Sequence, residues 1–107
     1  MAQQFTDQNF QQAVLEASKT KPVLVDFYAS WCGPCMIQGP IIEQLSDEIG
    51  EIAIVGKLNT EESQKTAYEY MVMSIPTLLI FRNGEIVEKF VGVQSKESLA
   101  SFLKKHV

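Results

Sequence analysis

The most regular hydrophobic pattern along the chain is the run PVLVDFYA, from Pro22 to Ala29. It is apolar on both faces and rich in β-branched and aromatic residues, which is typical of a central strand buried in a sheet. Further strands are predicted over residues 52–58, 77–81 and 85–91. Asn83-Gly84 separates the last two, and an Asn-Gly pair between such runs is a strong signal for a β-hairpin.

Apolar residues at helical spacing predict four helices between and after these strands. Thr6 or Asp7 is expected to cap the first helix, and Pro34 suits the first turn of the second. Pro40 lies inside that second helix and should kink it. Its apolar stripe is expected to be Ile37, Ile41, Leu45 and Ile49. Residues 61–70 form a third, short helix, and Ser95 caps a last one that buries Leu99, Phe102 and Leu103.

The resulting order of elements is β-α-β-α-β-α-β-β-α, with no repeat or linker-like stretch between them. Strands connected through helices can pair in parallel, whereas the final hairpin must be antiparallel. We therefore expect an α/β fold with a central mixed five-stranded sheet flanked by four helices. Residues 1–107 are expected to form a single domain. The core is predicted to contain Leu24, Phe27, Leu78, Leu79 and Phe81.

Composition narrows the possible functions. The chain of 107 residues is 46% hydrophobic and 21% charged, which are ordinary values for a soluble globular domain. Its net charge of −4 argues against nucleic-acid binding. Its apolar runs are strand-sized, so no membrane association is predicted. The N-terminus MAQQFTDQNF lacks the pattern of a signal peptide, so we expect a cytoplasmic location. The protein is also expected to be a monomer.

The only two cysteines, Cys32 and Cys35, are spaced C-x-x-C. A structural zinc site needs four ligands, and the chain adds only one histidine, His106, which is expected to be a solvated helix-end residue. A structural disulfide over so short a loop would remove little entropy from the unfolded chain. A redox-active pair is the remaining and favoured use, and it requires no metal or cofactor.

Residues around the cysteines suit redox chemistry. Cys32 is expected at a helix N-terminus, where unpaired N–H groups and the helix dipole favour a thiolate. Gly33 permits a tight bend that leaves the first sulfur open, and Pro34 sets the helical turn. Cys35, one turn further, should be more buried and resolve a mixed disulfide formed by Cys32.

Asp26 lies in the middle of the apolar strand that leads to the cysteines. Burial would raise its pKa by disfavouring the charged form, as a general base acting near neutral pH requires. The alternative is a half-exposed aspartate at the edge of a sheet. The position of Asp26, on the strand before the C-x-x-C motif, favours the catalytic role.

The motif WCGPC resembles that of the thioredoxin family. The resemblance extends to VLVDFYASWCGPC, Pro40, GKLN, SIPTLLIFRNGE and FVGVQSKESL, which together span nearly the whole chain. It implies the thioredoxin fold and an enzyme that reduces protein disulfides by dithiol–disulfide exchange. It also implies two kinds of partner, a thioredoxin reductase that donates electrons and target proteins that contain disulfides.

The same resemblance assigns roles to individual residues. Cys32 is similar to the attacking cysteine and Cys35 to the resolving one, with Asp26 as the carboxylate that assists Cys35. Lys57 is similar to a lysine that can pair with that carboxylate, and Ile75-Pro76 to a cis peptide bond beside the disulfide. Gly33, Pro34, Lys57 and Pro76 would tune the redox pair. The substrate-binding surface would contain Trp31, Met36, Ser74, Ile75, Val91 and Gly92.

Met36 departs from the family pattern, which most often has lysine at this position. Loss of a positive charge near the thiols would weaken the stabilisation of the Cys32 thiolate or change the choice of partner. Two other functions stay open at this point. One is a disulfide oxidase or isomerase, which would favour another dipeptide between the cysteines and an oxidising compartment. The other is a redox-independent accessory module that binds a partner protein.

Overall fold

A computed structural model describes all residues from Met1 to Val107 and contains one five-stranded sheet. The strands are β1 (Gln3–Phe5), β2 (Val23–Tyr28), β3 (Ile54–Asn59), β4 (Thr77–Arg82) and β5 (Glu85–Val91). The helices are a π-helix (Gln11–Glu16), α1 (Gly33–Ile49), α2 (Gln64–Glu69) and α3 (Lys96–Lys105), with 3₁₀ turns at Ala17–Lys19 and Gly50–Ile52. The predicted order of elements is therefore confirmed.

The sheet is mixed, in the order β1-β3-β2-β4-β5. β3 is parallel to both β1 and β2, whereas β4 is antiparallel to β2 and β5. β2 is at the centre, as its apolar sequence predicts, because side chains on both of its faces are covered. At the predicted hairpin, Asn83 and Gly84 both have positive φ, at 58° and 79°, as a type I′ turn requires.

Two hydrophobic cores lie on opposite faces of the sheet. In one core, the N-terminal π-helix and α2 pack against the sheet. Its members include Phe10, Val14, Phe27, Ala67 and Phe81. The other packs α1 and α3 against Leu24, Leu78 and Ile80. The predicted core residues Leu24, Phe27, Leu78, Leu79 and Phe81 are all fully buried or nearly so.

The buried face of α1 differs from the predicted stripe. Ile37 is exposed and Ile41 only partly buried, and the buried residues are Cys35, Gln38, Ile42, Leu45 and Ile49. Residues four apart advance 400° around a helix, so a strict i+4 stripe drifts away from the core. The observed spacing alternates four and three residues and stays on one face.

The caps at the N-terminal end were only partly predicted. The Thr6 hydroxyl accepts a hydrogen bond from the Asn9 backbone N–H, as a local cap would. Asp7 instead caps α2, because its carboxylate accepts hydrogen bonds from the backbone N–H groups of Lys65 and Thr66 at 3.3 and 2.8 Å. Asp7 therefore ties the turn before the N-terminal π-helix to α2. Ser95 caps α3 as predicted, accepting from the Ser98 N–H at 3.1 Å.

β5 carries a bulge, because the register against β4 shifts between Ile80 and Phe81. Phe81 pairs with Ile86 and Ile80 with Glu88, which leaves Val87 without a partner. Separately, none of the helices combines the length and apolar character needed to cross a membrane.

Candidate active site

The redox motif lies where the central strand meets the longest helix. β2 ends at Tyr28, and Cys32 is the N-cap residue of α1 with an extended backbone conformation. Its Sγ accepts a hydrogen bond from the Cys35 backbone N–H at 3.2 Å. Cys32 and Cys35 are joined by a disulfide. The predicted position at a helix N-terminus is confirmed, so the backbone can stabilise negative charge on the Cys32 sulfur once the disulfide is reduced.

The two cysteines do not differ in burial as the sequence suggests. Cys32 is 4% and Cys35 6% exposed, so the expectation that Cys35 is the more sheltered was wrong for the disulfide form. Cys32 is covered by the chain around Ile75, whose carbonyl oxygen lies 3.7 Å from its Sγ. The residues beside the cysteines form the exposed surface, with Trp31 72% and Met36 69% exposed.

A second segment lies against the disulfide from the start of β4. The Ile75-Pro76 peptide bond is cis, and the Pro76 carbonyl accepts a hydrogen bond from the Gly92 N–H at 2.9 Å. Gly92 has φ +97°, a conformation that a side chain would strain. The Ile75 N–H has no hydrogen-bond partner within the chain. Ser74 and Val91 flank this segment and are exposed, as a surface for partner contacts requires.

Asp26 is fully buried on β2, and neither carboxylate oxygen has a hydrogen-bond partner. Desolvation raises its pKa to about 7, although the positive charge of Lys57 acts in the opposite direction. Asp26, Cys35, Lys57 and Glu43 all line one cavity of about 360 Å³. An unpartnered buried carboxyl and the second cysteine therefore share one space large enough for water.

The lysine predicted to pair with Asp26 has another partner. Lys57 and Asp26 are register neighbours on β3 and β2, yet the Lys57 Nζ forms its salt bridge with Glu43 Oε2, at 3.0 Å. The ammonium also lies 5.6 Å from the centroid of the Tyr28 ring. Proximity is confirmed, but the expected pairing with Asp26 is replaced by a pairing with Glu43 on α1.

Glu43 and Glu61 were missed from the sequence. Glu61 accepts hydrogen bonds from the N–H and hydroxyl of Ser30, at 2.9 and 2.8 Å, and so ties down the loop before the cysteines. No local motif marks either glutamate. For Glu43, the available signal was its position on α1, two turns after Cys35. Residues two turns apart lie on roughly the same side of a helix, and here that side faces the sheet.

His106 was predicted wrongly as a solvated residue. Its Nε2 lies 2.8 Å from Glu88 Oε2, and its backbone carbonyl accepts a hydrogen bond from Arg82 Nε at 2.9 Å. Both side chains of the His106–Glu88 pair are about four-fifths buried, with exposures of 21% and 19%. His106 thus joins the end of α3 to β4 and β5, away from the cysteines.

A disulfide between C-x-x-C cysteines at a helix N-terminus, beside a cis-proline and a buried carboxyl, defines a class of thiol–disulfide oxidoreductases. A family model described as Thioredoxin matches residues 1–105. A thioredoxin of Chlorobaculum thiosulfatiphilum is 47% identical over 102 residues, covering 95% of this chain and 93% of that protein. Thioredoxins of Bacillus subtilis and Rickettsia prowazekii are 44% and 42% identical, covering 95% and 100% of this chain and 94% and 100% of those proteins.

The chain therefore belongs to the thioredoxin family. It has the fold of that family, and its function is dithiol–disulfide exchange through the redox-active pair Cys32 and Cys35. Its partners are, as for the family in general, a reductase and proteins that contain disulfides.

Proposed function

We propose that Cys32 attacks target disulfides, that Cys35 resolves the product, and that Asp26 accepts the proton of Cys35. The Cys32 thiolate attacks one sulfur of the target disulfide and forms a mixed disulfide, while the second target sulfur leaves as a thiolate. Cys35, giving its proton to Asp26, then attacks the Cys32 sulfur. The target leaves as a dithiol and the protein is left with the Cys32–Cys35 disulfide, so two electrons have passed to the target.

The observation that carries this assignment is the position of Asp26. A carboxyl without hydrogen-bond partners is costly to bury and needs an explanation. Its pKa of about 7 lets it both accept and release a proton near neutral pH. The cavity that it shares with Cys35 provides room for a water molecule to relay that proton.

Target binding is assigned to the exposed surface around the disulfide. The free Ile75 N–H can pair with an extended segment of the target as an added β-strand would. Trp31, Met36 and Val91 offer exposed apolar side chains beside it, and Met is flexible enough to fit several partners. The remaining contacts are assigned to Ser74 and Gly92.

The other predicted residues shape the redox pair. Gly33 and Pro34 are both exposed and allow a partner to approach the turn between the cysteines. Pro76 holds the Ile75 backbone against Cys32 through the bond from the Gly92 N–H. Lys57 limits how far the pKa of Asp26 rises.

We further propose that the protein is a cytoplasmic monomer that takes electrons from a thioredoxin reductase and passes them to target proteins. The bacterial thioredoxins it resembles over nearly the whole chain support this place in an electron-transfer sequence. Residues 1–107 would act as one domain, because both cores are built from elements spread along the entire chain.

The test is reduction of insulin disulfides with dithiothreitol as the reductant, comparing the native chain with Cys32→Ser and Cys35→Ser. We expect loss of turnover in both variants. Reduced Cys35→Ser mixed with insulin after removal of dithiothreitol should accumulate a mixed disulfide with the target, because only the first step remains. Equal activity of the native chain and Cys32→Ser would contradict the assignment. Equilibration against a glutathione series would distinguish a reductant from an oxidase, which would have a much higher reduction potential.

A further inference from the structure

Three charged groups from three elements converge beneath the redox motif. Asp26 comes from β2, Lys57 from the neighbouring β3, and Glu43 from α1, which covers that face of the sheet. One ammonium therefore lies within reach of two carboxylates. The structure pairs Lys57 with Glu43 and leaves Asp26 without a partner. Which carboxylate binds the ammonium therefore decides how close a positive charge lies to Asp26.

Glu43 is held by two contacts in an orientation that favours this pairing. Its Oε1 accepts a hydrogen bond from the Ala2 backbone N–H at 2.9 Å, and its Oε2 faces the Lys57 ammonium at 3.0 Å. The first contact anchors the carboxylate to the chain just before β1. Its second oxygen is then directed at Lys57, on the strand that pairs with β1.

We propose that Glu43 is a positioning residue of the redox site, which holds the Lys57 ammonium away from Asp26 and leaves that carboxyl without a cationic partner. The inference rests on the proposed role of Asp26 as the proton acceptor of Cys35. Without Glu43, the only other carboxylate that lines the cavity with Lys57 is that of Asp26, its register neighbour. A cation at hydrogen-bonding distance would stabilise the charged form and impair Asp26 as a base near neutral pH.

The other polar groups around the cavity do not replace Glu43. The Tyr28 ring, from β2, contacts the Lys57 ammonium through its face and carries no charge there. Cys35, from α1, lines the cavity as half of the disulfide. The α-amino group of Met1 is bound by Asp47 at 2.7 Å. The Ala2 hydrogen bond and Lys57 lower the pKa of Glu43, which is therefore ionised throughout the range in which Asp26 titrates.

The decisive experiment is to follow the Asp26 carboxyl carbon by NMR as a function of pH in the oxidised native protein and in Glu43→Gln. Glutamine keeps the size and the acceptor for Ala2 but loses the charge that holds Lys57. We expect the Asp26 pKa to fall from about 7 by at least about one pH unit, as an opposite charge at close range requires. The control is Glu48→Gln, on the same helix as Glu43, which removes a carboxylate paired with Lys96 of α3 and should leave the Asp26 titration unchanged.

Two further variants separate positioning from the direct effect of the Glu43 charge. Lys57→Met should raise the Asp26 pKa, and adding Glu43→Gln to it should then change that pKa by much less than in the native background. Equal shifts in both backgrounds would show that Glu43 acts by its own charge alone, and would overturn the proposal. An unchanged Asp26 titration in Glu43→Gln would overturn it as well.

The pH profile of turnover tests the proposed function separately. If the midpoint of the profile moves down together with the Asp26 titration in Glu43→Gln, both the positioning by Glu43 and the catalytic role of Asp26 are supported. If the Asp26 titration moves and the profile does not, Glu43 still positions Lys57 and the proposal stands, whereas the role of Asp26 as proton acceptor is contradicted.

Discussion

Gln38 and Asp26 are both completely buried, yet their surroundings are opposite. Gln38 donates from Nε2 to the Gln94 carbonyl at 3.1 Å and accepts at Oε1 from the Gln94 N–H at 2.7 Å. Asp26 has no hydrogen-bond partner. Burial alone therefore does not show how these two polar groups differ, whereas their hydrogen-bond partners do.

The two residues should have opposite effects on the free energy of unfolding. The Gln38 amide satisfies both backbone groups of Gln94 and so holds α1 against the connection between β5 and α3. A fully paired buried amide of this kind stabilises the folded state. Asp26 is destabilising whenever pH favours its ionisation, because the folded state must either keep the proton or bury an unpaired charge.

Asp26→Asn should give the largest change in stability. The Asp26 pKa is about 7 in the folded protein, whereas its ordinary value, expected in the unfolded chain, is 3.8. The unfolded state therefore loses the proton first as pH rises. The cost of folding with Asp26 grows between these two pH values and is fully present above pH 7. We expect Asp26→Asn to raise the free energy of unfolding at pH 8 by up to about 4 kcal/mol, measured by urea denaturation.

The pH dependence provides the control for that prediction. At pH 3.5, Asp26 is protonated in the folded state and mostly protonated in the unfolded state, so the stabilities of the two proteins should nearly coincide. At pH 8, where native Asp26 can act as a base, insulin reduction should fall by about 10² in Asp26→Asn, the effect typical of losing a general base. A constant stability difference from pH 3.5 to pH 8 would show that the gain does not come from ionisation.

Gln38→Ala should have the next largest effect, in the opposite direction. The substitution leaves the Gln94 N–H and carbonyl without partners and opens a cavity, so we expect a loss of about 3 kcal/mol. The matched control is Gln44→Ala, an exposed position of the same helix, where a change below about 0.5 kcal/mol is expected. Similar losses in the two variants would mean that helix propensity, rather than the Gln94 pair, determines the result.

The smallest expected effect concerns strain in the backbone instead of a buried polar group. Met71 follows α2 with φ 55°, a conformation that costs non-glycine residues about 1 kcal/mol or more. Met71→Gly should therefore raise the free energy of unfolding by about 1 kcal/mol, seen as a higher melting temperature. Met73→Gly is the comparison, since Met73 is exposed but has no positive φ, and there no gain is expected.

The fold was predictable because its signals are local. The two-sided apolar pattern of β2, the Asn83-Gly84 turn and the Ser95 cap each act within a few residues, and all three are confirmed. The redox motif was predictable for the same reason, as its two cysteines and helix start are contiguous. Packing around the cysteines was not, and their equal burial depends on a distant segment at Ile75.

The sequence did not predict which side chains pair between different helices and strands. Glu43 and Lys57 are remote along the chain, and only the packing of α1 on β3 shows that they pair. The same holds for Asp7 with α2 and for His106 with Glu88. In each case the sequence identifies a polar side chain and its approximate place, while the partner depends on which elements the fold brings together.

The bulge in β5 bears on aggregation. β5 is an edge strand of seven residues, long enough to serve as a template for edge-to-edge association of sheets. The unpaired Val87 interrupts its regular edge, and the exposed residues Glu85 and Lys89 add charge to it. The opposite edge, β1, has only three residues. Both edges thus discourage a second chain, so the pairing of an extended target that we propose would be directed to the free N–H of Ile75 beside the disulfide.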